Sequence, residues 1–333
     1  MKRIAYEEMV QELSRVLESR GFAPENARDA AVIFAQTSLA GVPGHGLNRF
    51  PRTVDYLDRG KIDPKAVATC EMTFGAMERW DGHRGFGPLN AKKAMDRACA
   101  LAKQFGLGMV ALGNNNHWMR GGTYGALAAE QGLIGICWSN TMPNMPAWGA
   151  TDRRIGNNPL IMAVLHGEGY VMVDCALSQF SYGKLEDTRL KGNQLPVPGG
   201  YDEHGNLTTD PGEIEKTWRV LPIGYWKGSG LSILMDLIGT ILTNGNSVAD
   251  VRGFGDEIGL SQIMIAIDPG KFNTPEQTEE MVSRILADVA LSKPVEPGTK
   301  VRYPAQRELQ CIRENLELGI PVIEEVWEAV KAM

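Results

Sequence analysis

The sequence predicts an α/β protein whose mixed β-sheet is inserted into a mostly helical domain built from both chain ends. Three observations lead there. Apolar residues recur at helical spacing near both ends. The middle alternates strand-like and helix-like segments, the rhythm of an α/β core. Two short apolar runs, PLIMAVL and YVMVDCAL, are divided only by HGEG, which reads as a hairpin and so makes the sheet mixed. The expected division is residues 1–75 plus 275–333 for the helical domain and 76–274 for the sheet domain.

Taken in order, the first forty residues are helical. Met9, Val10, Leu13, Val16 and Leu17 share one face and Gly21 ends the run. Pro24 sits where a first-turn proline belongs, and Gly41 closes the Ala-rich stretch that follows. TVDYLDRG reads as a further helix stopped by Gly60. EMTFGAMERW has the partial alternation of a strand, with DGHRGFG as a turn. Pro88 opens a long helix that Gly106 closes. LGMVAL is a short buried strand, GNNNHWMRGG a loop, TYGALAAEQG a helix and LIGICWS a strand.

After the hairpin, the stretch from Ser178 to Trp226 is rich in Gly, Pro and charge and reads as long loops, a setting that is often functional. KGSGLSILMDLIGTILTNG is apolar enough to be a buried helix, SQIMIAID is a strand, and the tail from Pro275 is helical.

Composition narrows the class. At 43% hydrophobic and 22% charged, the chain has the apolar material of an ordinary globular protein. A formal net charge of −6 and no dense basic run argue against a nucleic-acid partner. No apolar run reaches the roughly 18 residues of a membrane span, and the N-terminus lacks the apolar core of a secretory signal. The five cysteines, widely spaced and without a CxxC pair, read as reduced thiols. These features point to the cytoplasm.

Candidate chemistry concentrates in GVPGHGLNRFPR. His45 stands between Gly44 and Gly46, and Arg49 follows four residues on. An imidazole exchanges protons near neutral pH, and a guanidinium holds a carboxylate with two parallel hydrogen bonds. Together they suit an acid that carries a neighbouring carbonyl or alcohol; the competing reading is a loop histidine capping the helix that ends at Gly41. His117 lies in the loop after a strand, where α/β proteins place functional groups, or else is a solvated turn residue. His83, His166 and His204 read as turn or hairpin-tip residues.

No HExxH, HxH or Cys/His cluster is present, so no metal is expected, and His45, His117 and Asp174 could form a metal set only through tertiary folding. GxGxxG after a strand and the P-loop lysine motif are also missing. Asp174, at the end of an apolar strand, could accept from a ribose hydroxyl or merely cap the strand. Trp226 and Lys227, ahead of a glycine-containing helix, could stack on a ring and meet a phosphate, or be a core tryptophan with a surface lysine.

GHGLNRFPR, NHWMRGGTYG, GICWSNTMPNMPAWGA, RIGNNPLI, FSYGKLE and LPIGYWKGSG occur in this order, and together they resemble the malate/L-lactate dehydrogenase type 2 (L-sulfolactate dehydrogenase-like) oxidoreductases. The resemblance implies a homodimeric reductase of 2-keto acids that binds NAD on a mixed sheet without a Rossmann fold. It implies His45 as proton donor, with Arg49 and His117 at the substrate. It also implies cofactor contacts from Tyr170, Val171, Met172, Val173, Asp174, Cys175 and Ala176, from Trp226 and Lys227, and from Ala305, Gln306 and Arg307.

NADH is expected over NADPH if Asp174 faces the adenosine ribose, where it would repel a 2′-phosphate. The sister activities within the family act on malate, lactate, ureidoglycolate or a cyclic imino acid. A metal-dependent hydrolase or lyase is the alternative of another class. Three departures stand out. Gly44 replaces the usual serine before the histidine, Ala176 replaces a usual Ser or Thr, and PAQRE lacks the glycine expected in the turn near 305.

Overall fold

The computed structural model describes residues 2–333. Its centre is a seven-stranded mixed sheet in the spatial order Thr69–Phe74, Met77–Asp81, Leu107–Asn115, Leu260–Ile267, Ile134–Ser139, Leu160–His166, Gly169–Cys175. Met77–Asp81 runs parallel to Leu107–Asn115. The other neighbouring pairs are antiparallel.

Alternate residues of a strand face opposite sides, and here each side has its own cover. Cys137 packs with Ala94, Ala98, Ala102, Tyr124 and Ala128, which come from the helices Gly87–Phe105 and Gly122–Glu130. The next residue, Trp138, donates its indole N–H to Met235 O (3.1 Å) on the Trp226–Thr243 helix.

The helices Tyr6–Glu18 and Pro24–Leu39 form around the apolar face read from the sequence: Met9, Val10, Leu13, Val16 and Leu17 are fully buried. They share one core with Leu47, Phe50, Val54, Ile320, Val322, Trp327 and Val330. The chain ends are also tied by backbone hydrogen bonding, because Lys2–Ile4 pairs antiparallel with Ile320–Val322.

Several expectations change. EMTFGAMERW is two strands, not one: Gly75 turns the chain with φ +58, so Thr69–Phe74 and Met77–Asp81 form a hairpin. The sheet therefore starts inside the 1–75 segment. Helix Pro275–Ala290 has no buried residue and lies against the sheet hairpin, where Glu279 holds His166 at 2.9 Å, so the first part of the 275–333 segment sits away from the terminal helices.

The Gly/Pro-rich region contains the helices Tyr182–Leu190 and Pro211–Thr217 and a small core of Leu177, Leu185, Leu195, Ile214 and Val220. The apolar helix Trp226–Thr243 is buried on one side only; Leu234, Leu237 and Ile241 are exposed. No helix among the described residues is long and apolar enough to cross a membrane.

Candidate active site

His45 lies in two consecutive 3₁₀ turns, Pro43–His45 and Leu47–Arg49, that lead into helix Phe50–Asp58. The flanking glycines do different work. A Cβ on Gly46 would fall 2.2 Å from Ser38 Oγ, 2.8 Å from Ser38 N and 2.9 Å from Phe34 O, so the loop lies against helix Pro24–Leu39 as closely as a backbone can. Ser38 Oγ fixes that approach by accepting the Leu47 N–H (2.8 Å) and donating to Phe34 O (3.0 Å). A Cβ on Gly44 would meet nothing within 4 Å.

His117 comes just after strand Leu107–Asn115 and is brought against His45. Their rings are nearly parallel (11°), with centroids 5.8 Å apart. The His117 loop is anchored by buried Asn116, whose amide donates to Arg84 O (2.7 Å) and Gly85 O (3.0 Å). The Met119 N–H donates to His117 Nδ1 (3.0 Å).

Arg49 pairs with Glu257 at 3.1 Å, and Glu257 also accepts the Met142 N–H at 3.4 Å. The separations along the chain are long, so no local pattern announces Glu257. Burial alone would raise its carboxyl, but it sits below the ordinary carboxylate range, with the Arg49 and Arg52 guanidinium groups and the Met142 N–H opposing the effect of burial.

Desolvation lowers both imidazoles. For His45, Asp174 and Glu257 oppose the shift while Arg49 and Arg120 add to it. His117 is pushed down to about 3, with only Glu257 opposing and with Arg49, His45 and Arg52 adding to the effect of burial.

A second ionic cluster adjoins the first. Arg120, 6% exposed, reaches Glu308 at 2.5 Å and Asp174 at 3.4 Å. Asp174 Oδ2 accepts the Gly122 N–H (2.9 Å), and the Tyr170 hydroxyl donates to Glu308 (2.7 Å). Asp174 Oδ2 is thus shared between a helix N–H and a guanidinium, and the carboxylate's charge acts on His45. Arg120 and Glu308, like Glu257, were not singled out in the sequence, because each pairs with residues remote in the chain.

The three segments expected to hold a cofactor lie side by side. Tyr170 to Ala176 span the outermost strand of the sheet and the residue after it. Met172 N–H donates to Pro304 O (3.3 Å), which brings Ala305, Gln306 and Arg307 alongside. Just beyond Ala176, Leu177 O accepts the Ile223 N–H (2.8 Å), which brings up the segment carrying Trp226 and Lys227. Trp226 is 60% exposed, with Lys227 Nζ 5.6 Å from its ring centroid. Ala305 adopts φ +72, the left-handed conformation that a glycine takes without strain. Among the described residues, no three His, Cys, Asp or Glu side chains are grouped so as to hold a metal ion, the set His45, His117 and Asp174 included.

Relatives with known names match the whole chain. A 2,3-diketo-L-gulonate reductase of Escherichia fergusonii is 48% identical over 99% of this chain and 100% of its own. A sulfolactate dehydrogenase from Methanocaldococcus jannaschii superposes with a TM-score of 0.89 at 28% identity, covering 99% of this chain and 96% of its own. A malate dehydrogenase from Entamoeba histolytica, at 23% identity, shares the fold with a TM-score of 0.93 over 99% of this chain and 96% of its own. A family model described as malate/L-lactate dehydrogenase matches residues 4–331, and the chain thus belongs to the malate/L-lactate dehydrogenase family of oxidoreductases.

Proposed function

We propose that the protein reduces 2,3-diketo-L-gulonate to 3-keto-L-gulonate, with His45 as proton donor. The observation that carries this reading is the convergence of His45, His117 and Arg49 in a chain nearly half identical to a reductase of that name. Arg49 holds the substrate carboxylate and orients the neighbouring carbonyl; Glu257, paired with Arg49, keeps the guanidinium in place. Protonated His45 hydrogen-bonds the carbonyl oxygen as negative charge grows there and then gives up its proton. A substrate carboxylate on Arg49 offsets one of the cations that depress His45, so binding favours the protonated ring.

When bound, a reduced nicotinamide supplies the hydride. The residues suit a dinucleotide: an exposed indole for stacking, a lysine beside it for phosphate, and a strand edge with main-chain donors and acceptors. In this reading the cofactor lies on a mixed sheet rather than on a Rossmann half-domain. The reductant proposed is NADH. Asp174 and Glu308 share the single buried guanidinium of Arg120, which leaves an excess negative charge there against an additional 2′-phosphate.

The working form proposed is a cytoplasmic homodimer. Leu234, Leu237 and Ile241 on the outer face of the Trp226–Thr243 helix make an apolar stripe suited to a second copy. The five free thiols agree with a reducing compartment.

The decisive experiment follows NADH or NADPH absorbance with 2,3-diketo-L-gulonate, pyruvate and oxaloacetate. The diketo acid with NADH is expected to give the highest kcat/KM, and absence of turnover with it ends the proposal. His45→Asn is expected to lower turnover by roughly two to four decades. Retained turnover with cofactor still bound takes His45 out of the proton-transfer role.

A further inference from the structure

The two stacked imidazoles look equivalent on paper, but the backbone treats them differently. The Met119 N–H donates to His117 Nδ1 at 3.0 Å. A main-chain N–H can only donate, so Nδ1 must present its lone pair, and the proton of the neutral ring sits on Nε2. Protonating Nδ1 would set two N–H groups against each other. The chain is held for this contact: Met119 takes φ +66, a strained conformation for a side chain of its kind, and it is 5% exposed.

The surroundings work in the same direction. Glu257 faces His117 and favours its charged form, but Arg49, Arg52 and His45 face it as well and oppose that form, in a desolvated position. His117 Nε2 has no hydrogen-bond partner among the described residues. The ring thus offers one fixed donor.

We propose that His117 is a permanently neutral Nε2–H donor that recognises the oxygen on the carbon next to the reduced carbonyl, and that it takes no part in proton transfer. This rests on the function proposed above. The substrate carboxylate has Arg49 and the reacting carbonyl has His45. Of the oxygens on the two carbons flanking the reacting carbonyl, the one left without a partner is that on C3, which a 2,3-dioxygenated acid carries and pyruvate lacks. A site built to hydrogen-bond an oxygen discriminates against analogues without it, because its donor is then left unpaired. The stacked pair divides the labour: one ring moves a proton and the other reads the substrate's oxidation pattern.

Two measurements test this. In protein labelled with ¹⁵N-histidine, long-range ¹H–¹⁵N spectra are recorded from pH 5 to 8, with His117→Gln identifying the signal. The Nε2–H tautomer with no titration in that range is expected; an Nδ1–H tautomer or a midpoint within it overturns the proposal. Kinetically, His117→Phe is compared with His117→Gln, whose amide restores a neutral donor.

For His117→Phe, the loss of kcat/KM on 2,3-diketo-L-gulonate is expected to exceed the loss on pyruvate by at least tenfold, with His117→Gln recovering most of the difference. Equal losses on both acids overturn the assignment of the oxygen. If the wild-type protein reduces neither acid, it is the proposed function that fails; the tautomer measurement still decides the state of His117.

Discussion

Adding one methyl group beside His45 should have opposite consequences on its two sides. Gly46→Ala brings a Cβ to 2.2 Å from Ser38 Oγ, 2.8 Å from Ser38 N and 2.9 Å from Phe34 O. Two of these atoms are backbone of a helix in the terminal core and cannot give way. The third, the Ser38 hydroxyl, can only rotate by abandoning the Leu47 N–H and Phe34 O.

Leaving the buried Leu47 N–H unpaired costs about 1–3 kcal/mol. Overpacking adds about 1–3 kcal/mol. The combined destabilisation is about 2–5 kcal/mol after some relaxation. With an unfolding entropy of about 2.1 cal/mol/K per residue, 333 residues give about 0.7 kcal/mol/K, so the Tm should fall by about 3–7 °C. Because the strain falls on the turn that carries His45, activity should drop more than stability. Gly44→Ala, whose Cβ meets open space, is the control and should stay within about 0.5 kcal/mol. Differential scanning calorimetry and initial rates on the two variants decide the matter. Equal Tm values for the pair would refute the account of this loop.

Three further outcomes follow from the site. Arg49→Lys keeps the charge but loses the fork, so kcat/KM should fall for keto acids more than for a neutral ketone; an equal fall on both contradicts carboxylate binding by Arg49. His117 has a folded-state pKa near 3 against about 6.5 in an unfolded chain, so the folded protein binds fewer protons between those values. Its contribution is complete above pH 6.5 and declines as pH falls toward 3, by at most about 1.4 kcal/mol per pH unit. Urea melts of His117→Phe should therefore lose less stability between pH 7 and 4.5 than those of the wild type. Ala305→Gly relieves a left-handed alanine worth about 1–2 kcal/mol, less about 0.4–1 kcal/mol of added chain entropy, and should raise the Tm by about 1 °C; a lower Tm argues against the strain.

The parts of the molecule that could be read in the sequence are those governed by short-range spacing. The face of Met9, Leu13 and Val16 and the runs LIGICWS and SQIMIAID declare helix and strands because burial repeats every 3.6 or 2 residues. The hairpin at Gly75 was hidden because Gly75 and Ala76 lack the Asn-Gly or Asp-Gly signal of a tight turn. Helix Pro211–Thr217 had a readable start, with Asp210 accepting from the Gly212 and Glu213 N–H groups ahead of a first-turn proline, but a Gly/Pro-rich context masked it. Helix Trp226–Thr243 reads as buried because sequence records apolarity and not which of two sides finds a partner in the same chain. At the site, His45 and Arg49 share a motif and were visible. Glu257, Arg120 and Glu308 complete it through ion pairs between distant segments, for which no spacing rule exists.

The short pairing of Lys2–Ile4 with Ile320–Val322 has a consequence during synthesis. Leu47 and Phe50, which hold the His45 turn, need Trp327 and Val330 to finish their surroundings. A growing chain can assemble its sheet well before that and still lack a settled His45 turn. A protein cut short before residue 320 would keep most of its strands and leave that turn without the packing that fixes it. With His45 as the proton donor proposed above, competence arrives last, as a single closing step.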